Sequence, residues 1–313
     1  MSVLAVDLGG TNIRSAIFDS PTCKREMLRL PHRELGQPLP LSAFVQHLRD
    51  HLQKSQTAIQ AIGVSVAAVV DHRTGYVKVG ENIGWRDVPL GAALADAFGL
   101  PVAVDGDAFC GAWAEAQLGA GQDEDHFLYI AIGTGIGHAL VLNRAVWHGQ
   151  HGAANVFGHL KVAFDGPPCY CGGVGCVCQY ASGKGLARLG GEHQVGLRGE
   201  DVITYFQQGE VWANAVLQAA NTQLAHAISH AYNLLDLECT IIGGGATSAV
   251  FPDFLQLHRD IELCAYPAVR PIRLKYAALG SDDVLTGAAL RAFEKIDAPK
   301  TGAPKLIVGK SWI

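Results

Sequence analysis

Absences narrow this sequence first. It holds no apolar run of about 18 residues, so no segment is expected to cross a membrane as a helix. Charged residues make up only 17% of the 313, the formal net charge is −5 and no basic run occurs. The electrostatic footprint of a nucleic-acid or anionic-lipid binder is therefore missing. The opening MSVLAVDLGG lacks the basic segment and long apolar stretch of a secretory leader. Charge is scarce but hydrophobic residues reach 49%, which rules out a disordered chain, and the length of 313 predicts about two domains, each with a sizeable core. Four of the eight cysteines (Cys23, Cys110, Cys239, Cys264) are scattered among apolar residues. They read as small buried hydrophobes in a reducing, cytoplasmic setting rather than as a disulfide framework.

The other four cysteines lie together. Within GHLKVAFDGPPCYCGGVGCVC, His159, Cys169, Cys171, Cys176 and Cys178 fall in twenty residues, separated by glycine and proline. Short flexible linkers are what closing a tetrahedral N/S site requires, and four protein donors make such a site structural. The ligands expected are His159, Cys169, Cys171 and Cys176, with Zn²⁺ as the ion. The second ring nitrogen of His159 is then free to position a substrate hydroxyl.

Hydrophobic periodicity gives strands over 2–7 and 12–18, a helix over 41–54, a buried strand run over 62–70, a helix over 88–99 and a strand over 101–105. A helix opening at Asp107 follows. The order then restarts with strands over 126–132 and 138–143, an irregular cysteine-rich insert, a helix over 210–235 and a strand over 239–245. Helical, strand and helical segments follow over 249–264, 271–276 and 283–295. Each half thus begins with a β-hairpin around a glycine turn. Such alternation favours mixed sheets flanked by helices in two lobes with a ligand cleft between them. The boundaries expected are 1–106 for a small N-terminal lobe, on which helix 283–295 packs, and 107–282 for a large lobe with the zinc insert. An extended tail occupies 299–313.

Three glycine turns are candidates for nucleotide contacts. Asp7-Leu8-Gly9-Gly10-Thr11-Asn12 follows a strand; its glycines let backbone N–H groups approach a phosphate, and Asp7 is placed to hold Mg²⁺. The segment fits neither the P-loop nor the dinucleotide-binding fingerprint, and a plain hairpin turn would use the same residues. Gly133-Thr134-Gly135 repeats the arrangement in the second half, so that two turns would grip a triphosphate from both ends. Gly243-Gly244-Gly245, at a strand end, would let adenine or ribose lie on the backbone. Asp107 is the candidate general base and also a good helix N-cap; Asp105 competes with it. Arg14, Lys161 and Lys184 read as isolated, solvated cations.

Taken in order, LAVDLGGTNIRSAIFD (4–19), ENIGWRDVPL (81–90), VDGDAF (104–109), IGTGIG (132–137), FGHL (157–160), CYCGGVGC (169–176), ASGKGLA (181–187) and IIGGG (241–245) resemble the ROK family of sugar kinases and related repressors. The resemblance implies the two-lobed actin-like ATPase (ribonuclease H-like) fold, ATP and Mg²⁺ as cosubstrates, and a homodimer. It also implies a hexose-like acceptor phosphorylated at its 6-hydroxyl with Asp107 as base. The repressor branch carries a DNA-binding region before the first strand, and the expectation here is a kinase. Residues facing the acceptor would be Ala68, Asn82, Gly106, Asp107, Val156, His159 and Cys178. Four of these depart from the family pattern. Val156 and Cys178 stand where glutamate is usual, Gly106 where asparagine is usual, and Ala68 where glycine is common. Two lost carboxylates remove charge-assisted hydrogen bonds worth about 1.5–3 kcal/mol each. An altered acceptor, a modified sugar or cyclitol, is expected; the alternative is a weak or inactive sugar- or nucleotide-sensing member.

Overall fold

The computed structural model describes residues 1–247 and 251–297; the tail over 299–313 lies outside them. In chain order the first half comprises β1 (Val3–Leu8), β2 (Asn12–Ser20), β3 (Cys23–Pro31), α1 (Leu41–Ser55), β4 (Ala61–Val66), β5 (Val69–Asp71), β6 (Tyr76–Gly80), β7 (Trp85–Val88), α2 (Leu90–Phe98), β8 (Val102–Gly106) and α3 (Asp107–Leu118). The second comprises β9 (Phe127–Ile132), β10 (Ile136–Leu142), β11 (Ala145–Trp147), α4 (Cys178–Ala181), α5 (Gly183–Gly190), α6 (Gly199–Gln207), α7 (Val211–Leu235), β12 (Cys239–Gly243), α8 (Phe254–Cys264), β13 (Leu274–Tyr276) and α9 (Asp283–Asp297).

Two five-stranded sheets share one topology. The first runs β3-β2-β1-β4-β8 and the second β11-β10-β9-β12-β13. In each, two antiparallel pairings are followed by two parallel ones. β1 and β4 are buried along their whole length, as central strands covered on both faces must be. The edge strand β3 is largely solvated and carries Lys24, Arg25, Glu26 and Arg29. Such charges protect an edge from unwanted pairing, and they also hide the strand from a search for apolar alternation. The expected strand over 62–70 is two elements: β4 ends at Val66, and β5 starts at Val69 in a separate sheet with β6 and β7.

The helices after the last strand of each first-half and second-half unit exchange partners. α3 packs its Phe109, Ala112 and Ala116 with Phe127 and Tyr129 of β9. α9 packs Leu285, Ala288, Ala289 and Ala292 with Val3, Ala5 and Ala61 of the first sheet. The two helices meet backbone to backbone, since a Cβ on Gly287 would lie 1.9 Å from the Cys110 carbonyl oxygen. On α7, Leu217, Leu224 and Ile228 share the buried face, whereas Leu235 is exposed at its end. Of the scattered cysteines, Cys110 and Cys239 are buried as expected, but Cys23 and Cys264 are exposed. No described helix is long and apolar enough to cross a membrane.

Candidate active site

The first glycine turn closes with the Gly9 N–H donating to the Asn12 carbonyl at 3.0 Å. Buried His32 braces it, with Nε2 2.8 Å from the Gly10 carbonyl oxygen. Asp7, buried at the end of β1, is gripped by Arg14 across the hairpin, where Nε donates at 2.9 Å and the second guanidinium nitrogen at 2.7 Å. Arg14 is thus no solvated cation. Burial raises the Asp7 carboxyl above its usual range, and Arg14 opposes the rise.

Asp107 is the first residue of α3, and its carboxylate accepts from the Ala108 N–H at 2.8 Å, a helix-start contact compatible with a catalytic role. Its pKa is raised to about 6, chiefly by burial and further by the charges of Asp7 and Asp283. Asp283, at the start of α9, is pushed to about 6, chiefly by burial and further by the charge of Glu115, and accepts from the Tyr129 hydroxyl. Sequence reading passed over Asp283, which comes close only through the α3–α9 exchange. Asp105 is engaged elsewhere: His148 Nε2 lies 2.9 Å from it, Arg291 3.5 Å, and its own Gly106 N–H donates at 2.8 Å. A carboxylate so compensated is a structural anchor rather than a free base.

A cavity of about 940 Å³ is lined by Asn12, Thr134, Lys184, Arg198 and Gly245, among others. A second, of about 290 Å³, is lined by Glu81, Asn82, Thr134, Gly135, Cys178 and Lys184 with Tyr170, Gln179 and Ser182. Both sizes are those of small-molecule sites. The two chambers share Thr134 and Lys184. Their common wall is held by backbone: Gly183 donates to the Gly133 carbonyl at 2.8 Å and Lys184 to that of Thr134 at 3.2 Å. The Lys184 ammonium has no partner among the described residues, so it is available to a ligand.

The expected residues divide accordingly. Asn12, Gly133, Thr134 and Gly245 line the large chamber, and Asn82, Gly135 and Cys178 line the small one. Gly10 and Thr11 face a separate hollow with His32 and Asn82. Gly243 is packed against Ala277, and Gly244, at φ +102°, sits against the Ile132 backbone, where a Cβ would lie 2.4 Å from its carbonyl oxygen. These two glycines shape the turn and leave Gly245 at the surface of the chamber. Ala68, Gly106, Asp107, Val156 and His159 line neither chamber; Val156 is exposed and Gly106 lies under Phe109. Glu81, a carboxylate in the small chamber, went unassigned beside Asn82 in the sequence reading.

The donor atoms of His159, Cys169, Cys171 and Cys176 all lie within 4.8 Å of one another. Cys169 Sγ is 3.5 Å from His159 Nδ1 and Cys171 Sγ 3.6 Å from Cys176 Sγ. Zinc–sulfur bonds of about 2.3 Å in a tetrahedron would set such edges near 3.8 Å, so these two separations are compatible with a zinc site. Lys161, read as solvated, places Nζ 2.9 Å from Cys176 Sγ, a contact that opposes the rise burial imposes on that thiol.

The ROK family model matches residues 3–294. The chain belongs to the ROK family. It is 31% identical over 306 residues to a glucokinase of Halalkalibacterium halodurans, covering 91% of this chain and 92% of that one. It is likewise 31% identical over 300 residues to an N-acetylmannosamine kinase of Escherichia coli O1:K1, covering 93% and 98%. The crystal structure of a ROK glucokinase from Streptomyces griseus in complex with glucose and AMPPNP superposes with a TM-score of 0.77 at 26% identity, covering 94% of this chain and all of that one. The fold of this ROK protein is the two-lobed actin-like ATPase fold, with mixed sheets flanked by helices.

Proposed function

We propose that this ROK protein is an ATP-dependent kinase that phosphorylates a hexose or modified sugar, acting at its 6-hydroxyl. The observation that carries the reading is the pair of adjoining chambers with Thr134 and Lys184 in their common wall. A donor in the large chamber and an acceptor in the small one would meet at that wall. The glucose and AMPPNP held by the Streptomyces griseus relative support the pairing of a sugar acceptor with a nucleotide donor.

In this reading the acceptor hydroxyl oxygen attacks the γ-phosphorus, the bond to the β,γ-bridging oxygen breaks, and ADP leaves. Asp107 lines neither chamber, so in this reading the lobes close on the acceptor and bring its hydroxyl to the Asp107 carboxylate, whose pKa near 6 leaves it ionised at neutral pH yet basic enough to accept the proton. Thr134 and the glycine backbone around it would donate to phosphate oxygens, and the Lys184 ammonium would follow the transferred phosphoryl group. Glu81, Asn82 and Gln179 are the polar groups that would orient sugar hydroxyls. Asp7, Asp107 and Asp283 supply hard oxygen donors, and Asp7 would hold Mg²⁺, directly or through water, the ion supplying charge neutralisation at the phosphates. Zn²⁺ on His159, Cys169, Cys171 and Cys176 is structural. A cytoplasmic homodimer belongs to the same proposal.

The test is ADP release with ATP, Mg²⁺ and a panel of glucose, mannose, N-acetylhexosamines and cyclitols, with phosphorus NMR to locate the new phosphate. A 6-phosphate from at least one acceptor is expected. Tight ATP binding without turnover on any of them would favour a sensing role.

A further inference from the structure

A fifth donor, Cys178, stands beside the four-donor cluster, next to two of its members and outside the set whose atoms all lie within 4.8 Å of one another. Cys178 Sγ lies 3.8 Å from Cys169 Sγ and 3.9 Å from His159 Nδ1. These separations are close to the 3.5 and 3.6 Å edges within the expected ligand set. Cys169, Cys176 and Cys178 form one buried cluster. Gln179 Nε2 reaches both neighbouring sulfurs, at 3.5 Å from Cys169 and 3.9 Å from Cys178. Cys178 also lines the small chamber, and so does Tyr170, whose ring meets His159 edge-on at 5.0 Å.

We propose that Cys178 is an alternative ligand of the zinc centre, sharing the fourth position with His159, so that both a Cys₃His and a Cys₄ set are populated. In the exchange the zinc–nitrogen bond to His159 gives way to a zinc–sulfur bond to Cys178. The proton lost by the Cys178 thiol is taken up by the freed imidazole, so no net proton or electron is needed. Zinc accepts either set in a closed tetrahedral site. The consequence is a link between metal and acceptor chamber: the same sulfur either faces the acceptor or binds the ion, and His159 with its Tyr170 contact answers to the choice. The inference rests on zinc being the resident metal.

The test compares wild type with His159→Ala, Cys178→Ser and the double variant, by zinc content after dialysis against a chelator and by absorption of the cobalt-loaded proteins. Zinc in His159→Ala is expected within twofold of wild type, and at least tenfold lower in the double variant. The sulfur-to-cobalt charge-transfer band, which grows with the number of thiolates, is expected to fall on Cys178→Ser even where His159 is intact. That second readout decides the matter if His159→Ala does not fold. Loss of zinc from His159→Ala as complete as in the double variant would overturn the proposal, and so would an unchanged cobalt band in Cys178→Ser. A wild-type protein without zinc would overturn the metal assignment itself, together with this inference.

Discussion

The backbone N–H of Gly183 donates to the carbonyl oxygen of Gly133 at 2.8 Å, which fastens the start of α5 to the second glycine turn. This bond brings Lys184 to the wall shared by both chambers, though fifty positions separate it from Thr134. Lys184→Ala should therefore lower kcat by at least tenfold, since a charge-assisted contact to the transferred group is worth about 1.5–3 kcal/mol. The melting temperature should stay unchanged, because the ammonium has no partner among the described residues. Steady-state kinetics alongside a thermal melt make the check.

Asp107 should separate stability from activity. Its pKa near 6 lies above the ordinary carboxylate value of 3.8, so the folded chain holds the proton more tightly than the unfolded chain does. The stabilisation from that proton is complete below about pH 3.8 and is lost as pH rises to about 6. At pH 7 the ionised, poorly compensated carboxylate is a cost of roughly 1–3 kcal/mol. Asp107→Asn should raise the melting temperature at pH 7, with no gain at pH 3.5, while turnover is lost. Calorimetry at the two pH values measures it.

The same group sets the acid limb of catalysis. A general base with a pKa near 6 predicts that kcat/KM of the wild type falls about tenfold per pH unit below 6. Burial and the neighbouring charges of Asp7 and Asp283 cause the elevation. Asp283→Asn should therefore move that limb to lower pH, read from the pH–rate profile.

Cys171→Ser removes one of four donors brought within 4.8 Å. The expected outcome is loss of bound zinc and a lower melting temperature, measured by elemental analysis and a thermal melt.

Gly287→Ala tests the crossing of α3 and α9. Its Cβ would lie 1.9 Å from the Cys110 carbonyl oxygen, and backbone cannot rotate aside as a side chain can. A destabilisation of about 1–3 kcal/mol is expected from such overpacking, visible in denaturant unfolding.

Local pattern made part of this architecture legible. The β1–β2 hairpin announces itself by apolar strands around two glycines, and α3 begins at Asp107 as read. The cluster of His159, Cys169, Cys171 and Cys176 was legible because the four fall within eighteen residues, so proximity in sequence stood for proximity in space. What stayed hidden depends on distant contacts or on polar elements. β3, an edge strand, is largely solvated, with only Leu28 and Leu30 alternating on its inner side, and β5 looked continuous with β4 although it pairs in another sheet. Asp283 meets Tyr129 across 154 positions, and nothing near either residue signals the other. Lys184 resembled a solvated cation until the fold set it over two chambers.

Nucleotide binding and turnover of Asp107→Ala, measured on one preparation with a sugar that the wild type phosphorylates, bear on the central claim most directly. The prediction is ATP affinity within about threefold of wild type and ADP formation reduced by at least 10²–10⁴-fold, the range that general base catalysis contributes. Turnover retained within tenfold of wild type would remove Asp107 from the reaction and contradict the account.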